Sequence, residues 1–204
     1  MDVDEKALAI RVKKQLRARF RRLRETTPSA AAGAAQRSAA ICDRVIELPA
    51  WQTAQAIALF SPMPDKGEVD VSPLDQRARS QGKRVAYPFM RPSADGYTTG
   101  FAWVDALSAL EERGRGFAEP PPDAVVVQPG ELDAILVPAL AVAPSGHRLG
   151  FGIGWYDATL SEFRDSATLV LVAFDFQLLV ELPIEEHDVP CHVVVTDERL
   201  IVPS

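Results

Sequence analysis

The sequence predicts an α/β protein, built as a single three-layer α/β/α domain with a mostly parallel central sheet. Helix-like and strand-like segments alternate along the chain, and six or seven of them read as strands. Several of these, such as residues 134–137, are short uninterrupted apolar runs, which are typical of strands covered on both faces. The 204 residues suffice for one sizeable core and contain no internal repeat, so we expect one domain over residues 1–204.

Composition and cysteine usage are those of an ordinary globular protein. Hydrophobic residues make up 47% of the chain and charged residues 25%. No window approaches about 18 uninterrupted apolar residues, and the first residues lack the apolar centre of a secretory signal. Cys42 and Cys191 are too few for a disulfide framework and fit two reduced thiols. We therefore expect a cytoplasmic protein that does not span a membrane.

Residues 1–25 predict a basic amphipathic helix. Residues 1–24 carry nine lysine and arginine side chains against three acidic ones, although the whole chain has a net charge of −6. A basic helix of this kind has three interpretations. It binds nucleic acid or a membrane as a free arm, it brings cations to a bound anion, or it exposes its charges to solvent. An apolar stripe runs along it, formed by Leu8, Val12, Leu16, Phe20 and Leu23. Because this stripe predicts docking on the body, we expect neither a nucleic-acid nor a membrane partner.

The next segments predict a helix, a strand, a loop and a second helix in succession. Residues 29–47 read as a helix, because cap-forming residues precede them. Residues 55–60 read as the first buried strand, and residues 61–68 form the loop at its carboxyl end, where open α/β sheets bind ligands. Glu68 is either a binding-site carboxylate or an acidic residue that begins a helix over residues 69–80.

Two more strands are predicted before the middle of the chain. Residues 83–87 read as a short strand ended by Pro88, and residues 97–104 read as a strand that follows a turn-rich loop at 91–96. Trp103 on the second strand is either a core residue or a binding-site aromatic. Two further strands are predicted at residues 168–174 and 193–196.

A glycine-rich segment links the strand at residues 134–137 to a predicted helix over residues 155–163. Its glycines occupy alternate positions, at Gly150, Gly152 and Gly154. Glycines allow close approach of the backbone to an anion, and a helix N-terminus directs free N–H groups at it. Arg148 can bind a phosphate oxygen, and Asp157 can bind the Mg²⁺ that accompanies phosphates. The glycine spacing fits no standard phosphate motif, so a plain glycine-rich turn is the alternative.

Three other functional arrangements find little support. His187 and Asp188 are adjacent, but neighbouring residues rarely face each other on a regular element. Cys191 and His192 lie nearby, yet the ligand spacings of structural zinc sites are absent. No serine sits on a G-x-S-x-G turn, so we expect no Ser-His-Asp triad.

The glycine-rich segment resembles the signature of the 5-formyltetrahydrofolate cyclo-ligases, a R-L-G-[aromatic]-G-x-G-[aromatic]-Y-D block. The matching residues are Arg148, Leu149, Gly150, Phe151, Gly152, Gly154, Tyr156 and Asp157. The segment from Lys13 to Arg17 is similar to the K-x-x-L-R element of the same family. The resemblance extends in order over nearly the whole chain. It implies ATP-dependent cyclisation of 5-formyltetrahydrofolate to 5,10-methenyltetrahydrofolate, with release of ADP and phosphate.

The resemblance also implies residue roles. ATP would phosphorylate the formyl oxygen, N10 would attack the activated carbon, and phosphate would leave; such chemistry needs positioning and charge stabilisation. Arg148 and Tyr156 are the expected catalytic residues, and Asp157 is the expected Mg²⁺ ligand. Residues expected to bind ATP are Lys13, Arg17, Arg148, Leu149, Gly150, Phe151, Gly152, Ile153, Gly154 and Trp155. Residues expected to contact the reduced folate are Glu68, Trp103 and Tyr156.

The chain departs from the family pattern at several positions. These are Ala139, Val142, Ala143, Ile153, Trp155 and Ala158. They permit a divergent member that binds nucleotide but acts on another substrate or lacks cyclase activity, since fold alone does not fix function. For either reading we expect a monomer or a homodimer.

Overall fold

The computed structural model describes residues 3–26, 33–63, 66–94, 96–113, 117–152 and 155–203. The strands in the described residues are β1 (Ala56–Ala58), β2 (Arg84–Ser93), β3 (Gly96–Trp103), β4 (Glu111–Glu112), β5 (Ala118–Glu119), β6 (Ala134–Pro138), β7 (Ala141–Val142), β8 (Arg148–Leu149), β9 (Thr168–Val172), β10 (Val193–Val195) and β11 (Leu200–Ile201). The α-helices in the same ranges are α1 (Val3–Thr26), α2 (Ala34–Glu47), α3 (Pro49–Thr53), α4 (Ser72–Ser80) and α5 (Trp155–Phe163).

The central sheet has seven strands in the order β11-β10-β9-β6-β1-β2-β3. The four inner pairings are parallel, and only the edge strands β3 and β11 run antiparallel to their neighbours. The prediction of a mostly parallel sheet is confirmed. The parallel strands carry apolar side chains towards both faces, because both faces are covered.

Helices cover the two faces of the sheet, as predicted for a three-layer α/β/α fold. Residues of α2, α3 and α4, such as Val45, Trp51 and Leu74, join one apolar cluster with alternate strand residues. Leu160 and Phe163 of α5 join a second cluster with the intervening strand residues. No helix in the described part of the chain combines the length and apolarity needed to cross a membrane.

Helix α1 docks through a third, smaller apolar cluster. Phe20 is 1% exposed and packs with Leu140, Leu149 and Leu182. The predicted stripe does not extend to the start of the helix, because Leu8 is 60% exposed there. Two cations are buried on the docked side of α1 instead, namely Lys13 and Arg24.

The predicted end of strand β2 at Pro88 is wrong. The strand continues to Ser93 and forms a long hairpin with β3, where the sequence predicted a loop. The pairing of β2 with its parallel neighbour β1 ends at Ala86, so Pro88 lies beyond it. The missing N–H of Pro88 therefore interrupts no pairing with β1, since proline is tolerated where one side of a strand is free.

Other boundaries shift by a few residues. The second predicted helix is described from Ala34, and its predicted start lies outside the described residues. The helix predicted from residue 69 begins at Ser72, and residues 69 to 71 belong to no helix or strand. The strand predicted to close the sheet is followed by one more short strand, β11. Helix α5 begins and ends where the sequence predicted.

Candidate active site

A cavity of about 340 Å³ opens at the carboxyl edge of the central sheet, beside β1, β2 and β6. Helix α1, the β8–α5 segment and residues 185–188 form its other walls. Its lining residues are Lys13, Arg17, Phe60, Ser61, Met63, Glu68, Pro88, Met90, Phe117, Pro138, Arg148, Leu149, Gly150, Phe151, Gly152, Trp155, Tyr156, Asp157, Glu185, His187 and Asp188. Ligands of open α/β sheets bind at this edge.

Arg148 and Asp157 form an ion pair at the start of α5. Arg148 Nη2 donates to Asp157 Oδ1 over 2.7 Å, and Nη1 donates to the Val189 carbonyl over 2.6 Å. The Val189 N–H in turn donates to the same Asp157 oxygen over 3.2 Å. The Arg148 side chain is only 3% exposed. The two residues predicted to hold phosphate and Mg²⁺ therefore lie in direct contact in one wall of the cavity.

Lys13 forms two short ion pairs with an acidic segment late in the chain. Its Nζ lies 2.6 Å from Glu185 Oε2 and 2.8 Å from Asp188 Oδ2. Burial would lower the pKa of Lys13, but the two carboxylates raise it above its usual value. Burial would likewise raise the pKa of Asp188, but the hydrogen bond from Lys13 and the Glu185 N–H lower it.

The acidic segment also contains His187, which is largely exposed. Ligand atoms of Glu185, His187 and Asp188 lie within 4.8 Å of one another, close enough to share one cation. Carboxylate oxygens suit Mg²⁺, and Asp157, Glu185 and Asp188 are cavity residues beside the proposed phosphate cations that fit such an ion.

Arg17 holds the glycine-rich segment against α1. Its Nε donates to the Gly150 carbonyl over 3.1 Å. Gly152 has a φ of +99°, and a Cβ there would lie 3.1 Å from Arg17 Nε. Gly152 is therefore required both for its backbone conformation and for the close approach of the guanidinium. Arg21 adds a hydrogen bond to the Phe151 carbonyl at 3.1 Å.

Glu68 is buried in the cavity wall near the carboxyl end of β1. Its Oε2 accepts a hydrogen bond from the Met63 N–H at 2.9 Å, and its Oε1 lies 3.9 Å from Arg24 Nη1. Burial raises the pKa of Glu68, while the charge of Arg24 and the Met63 N–H oppose that rise. Glu68 precedes α4 by several residues, so it does not belong to the first turn of that helix.

Tyr156 lies on the first turn of α5 and faces the same cavity. Burial and the charge of Glu68 raise its pKa well above the usual 10.0, although Arg148 opposes the rise. The phenol therefore stays protonated at neutral pH and serves as a hydrogen-bond donor, not as a base. Trp155 beside it donates from Nε1 to the Phe89 carbonyl over 3.0 Å, which ties α5 to β2.

Trp103 is the described residue of the predicted set that does not line the cavity. Its ring packs under Arg84, whose Cζ lies 3.6 Å from the ring centre, and against the second apolar cluster. Ile153 and Gly154 lie outside the described residues. The other described residues of the predicted set come from α1, from Glu68 and from the segment that runs from β8 into α5, and they line one cavity.

Sequence reasoning missed several residues of this site. Glu185 and Asp188 face Lys13 across separations of 172 and 175 residues, and only the fold brings them together. Arg24 is one of many basic residues in the α1 sequence, which does not reveal that it is buried beside Glu68. Its position on the face of Lys13 and Arg17 was the available signal.

The site combines cations, carboxylates and a neutral phenol around one space. Lys13, Arg17 and Arg148 supply positive charge, and Asp157 supplies a carboxylate beside it. Glu68 and Tyr156 offer an acceptor and a donor in the same cavity. No covalent nucleophile is needed for phosphoryl transfer between bound partners, which depends on positioning and charge.

Comparisons with known proteins agree with this chemistry. A profile of the 5-formyltetrahydrofolate cyclo-ligase family matches residues 9–197. A 5-formyltetrahydrofolate cyclo-ligase of Mycolicibacterium smegmatis is 43% identical over 126 residues, which are 59% of this chain and 63% of that protein. The Escherichia coli K12 protein of the same name is 34% identical over 159 residues, 77% of this chain and 86% of that protein.

A solved structure is also similar. The NMR structure of Aquifex aeolicus 5,10-methenyltetrahydrofolate synthetase superposes with a TM-score of 0.78 at 28% identity, covering 94% of this chain and 92% of that one. The family match spans nearly the whole chain, including most of α1 and the cavity walls. The chain therefore belongs to the 5-formyltetrahydrofolate cyclo-ligase family, whose members are ATP-dependent ligases of folate one-carbon metabolism.

Proposed function

We propose that the cavity binds Mg-ATP beside 5-formyltetrahydrofolate and closes the formyl group onto N10 to give 5,10-methenyltetrahydrofolate. The observation that supports this most is the meeting of two residue sets in one cavity. Lys13, Arg17 and Arg148 surround one part of it, and Glu68 and Tyr156 line it as well. A phosphate donor and a folate can then lie side by side, which is what transfer to the formyl oxygen requires.

The nucleotide side is proposed as follows. Arg148 and Lys13 hold phosphate oxygens by charge-assisted hydrogen bonds, and Arg17 keeps the glycine-rich segment close to them. Both cations are paired with carboxylates in the protein alone, so phosphate takes the place of a carboxylate partner. That exchange leaves Asp157 and Asp188 available to Mg²⁺, which would neutralise phosphate charge when bound.

The folate side is proposed around Glu68 and Tyr156. An ionised Glu68 accepts hydrogen bonds from the donor edge of the pterin ring, and the Tyr156 phenol donates one to the substrate. Trp103 is omitted from this side, because it packs under Arg84 away from the cavity. The apolar wall formed by Phe60, Met90 and Trp155 excludes water from the activated formyl group.

The departures from the family pattern are compatible with cyclase activity. Ala139, Val142 and Ala143 are at most 3% exposed, and none of the three lines the cavity. No described residue other than glycine has a positive φ, so alanine at position 139 carries no backbone strain. Trp155 does line the cavity, where its indole is tied to Phe89. Three of the six departures, Ala139, Val142 and Ala143, therefore alter the core and not the lining of the cavity.

We propose a cytoplasmic enzyme that acts on small molecules, as a monomer or homodimer, without nucleic acid or membrane. This proposal is supported by the position of α1, whose inner face packs on the body and lines the cavity. Lys13 and Arg24 are buried there, whereas Arg11, Lys14 and Arg22 point to solvent. The exposed cations are then a solvated face.

Replacement of Arg148 tests the nucleotide side. In Arg148→Ala we expect kcat/KM for ATP to fall on the order of 10²-fold, because charge stabilisation of the transferring phosphoryl group is lost. Arg148→Lys keeps the charge but loses the two-sided contact with Asp157 and Val189, and should recover part of the loss. Steady-state kinetics with circular dichroism as a folding check would measure this.

The matched control is Arg164→Ala, since Arg164 is half exposed and outside the cavity. It should behave as the wild type. If folded Arg148→Ala bound and turned over ATP normally, the proposed nucleotide side would be misplaced.

A further inference from the structure

We propose that Arg24 is a positioning residue for this reaction: it holds Glu68 in place for the folate without touching either substrate. The inference rests on the proposed role of Glu68. Arg24 does not line the cavity but lies directly behind its wall, with a side chain that is 3% exposed. A cation so deeply buried is costly to keep unless its partners require it.

Arg24 contacts three separate segments of the cavity wall. Its Nη1 lies 3.9 Å from Glu68 Oε1 and 3.5 Å from the Lys66 carbonyl. Its Nη2 donates to the Ala139 carbonyl, just after β6. Its Cζ lies 5.9 Å from the ring centre of Phe151, in the glycine-rich segment. One guanidinium therefore joins the Glu68 loop, the end of the central strand and the proposed phosphate loop.

The backbone of the Glu68 loop is fitted to the same helical turn. Gly67 has a φ of +60°, and a Cβ built there would lie 3.3 Å from both Cβ and the carbonyl oxygen of Arg24. A side chain at position 67 would be strained and would push the loop away from α1. Close packing at Gly67 thus sets the distance between Arg24 and Glu68.

Arg24 lies on the same face of α1 as the two proposed phosphate ligands. At 3.6 residues per turn, Lys13, Arg17 and Arg24 fall within about 40° of one another around the helix. Phe20 of the third apolar cluster lies between them and fixes the helix to the body. The nucleotide side and the folate side of the cavity therefore depend on one rigid element.

Few charges other than that of Arg24 act on Glu68 in the described structure. The Met63 N–H contacts it from its own loop, and Tyr156 of α5 faces it as a neutral phenol. Burial lowers the pKa of Arg24 to about 10, so the guanidinium stays charged at neutral pH. Without Arg24, burial would raise the pKa of Glu68 further, and the carboxyl would take up a proton at higher pH. A protonated carboxyl is a poorer acceptor for pterin donors.

The test is a kinetic comparison of Arg24→Met, Arg24→Lys and Glu68→Gln with the wild type. In Arg24→Met we expect KM for 5-formyltetrahydrofolate to rise about 10-fold or more, with KM for ATP changed much less. The acidic limb of kcat/KM for the folate should move to higher pH. Arg24→Lys keeps a charge, so its acidic limb should stay near that of the wild type. The exposed Arg22→Met, two residues away, is the matched control and should change neither.

A double-mutant cycle separates positioning from general destabilisation. In the Glu68→Gln background, Arg24→Met should add little further loss. If the losses caused by Arg24→Met and by Glu68→Gln multiply independently, the inference is overturned. An unshifted pH profile in folded Arg24→Met would overturn it as well. If Arg24→Met does not fold, Arg24→Lys provides the test. An acidic limb that moves to higher pH in Arg24→Lys, although the charge is kept, then overturns the inference. Normal folate kinetics in Glu68→Gln would instead remove the proposed role of Glu68 itself.

Discussion

Lys13 shows how a single residue can serve both the fold and the site. In the protein alone it forms ion pairs with Glu185 and Asp188, and in the proposed reaction it binds phosphate instead. The raised pKa of Lys13 means that its contribution to stability is complete below the usual 10.5 and is lost as the pH rises through the raised pKa. The lowered pKa of Asp188 means that its contribution is present above the usual 3.8 and is lost as the pH falls.

These directions give a testable pH dependence. Lys13→Met leaves two carboxylates together without their cation, and should lower the free energy of unfolding by about 1.5–3 kcal/mol near pH 7. The difference from the wild type should shrink at about pH 3, because below the usual pKa of 3.8 the unfolded protein binds a proton at Asp188 and the ion pair loses its contribution as the pH falls. Urea denaturation at both pH values measures it, with the exposed neighbour Lys14→Met as control. An equal loss at both pH values would mean that the contribution of Lys13 is not electrostatic.

Residue types on a local motif could be predicted, but their partners could not. Arg148, Tyr156 and Asp157 stand together in the sequence, so their shared wall of the cavity follows from one strand–loop–helix unit. The carboxylates that bind Lys13, and the Glu68 that faces Arg24, come from distant segments. Such pairs depend on the tertiary fold, which periodicity and spacing do not specify.

At the scale of elements, α1 is the helix on which both sides of the site depend. Its inner face carries Lys13, Arg17 and Arg24, and among its apolar residues from Ala7 onward, whose side chains are described, only Phe20 is fully buried. Nearer the start of the helix, Leu8 is exposed to solvent. The position of α1, and with it the site, should therefore depend on the middle of the helix and not on its start.

A pair of substitutions tests this docking. Phe20→Ala removes a buried ring and should lower the free energy of unfolding by about 3–5 kcal/mol. Leu8→Ala removes an exposed side chain and should change it by no more than about 0.5 kcal/mol. Chemical denaturation of both variants gives the comparison. Similar effects at the two positions would contradict a helix anchored through Phe20.

Elements with a local signal were predicted well, and those fixed by neighbours were not. Helix α5 and strand β6 have clear apolar patterns and clear boundaries, and both occur as predicted. The extension of β2 through Pro88 depends on where β1 ends, which no local pattern reveals. The two-residue pair β7 and β8, which presents Arg148 to the cavity, is too short to have a sequence signal.

At the scale of the whole molecule, the alternation of helices and strands was enough to predict the sheet and its layers. The parallel inner strands place several loops at one edge, and the cavity forms where those loops meet α1. The identity of the residues that close the cavity required the fold. The family match over residues 9–197 covers that whole arrangement.

The most direct measurement is the absorbance of 5,10-methenyltetrahydrofolate after 5-formyltetrahydrofolate and Mg-ATP are added to the purified protein. We predict a rise that requires both ATP and protein, and that is lost in Arg148→Ala but kept in Arg164→Ala. No rise from a folded protein that still binds ATP would contradict cyclase activity in this cavity.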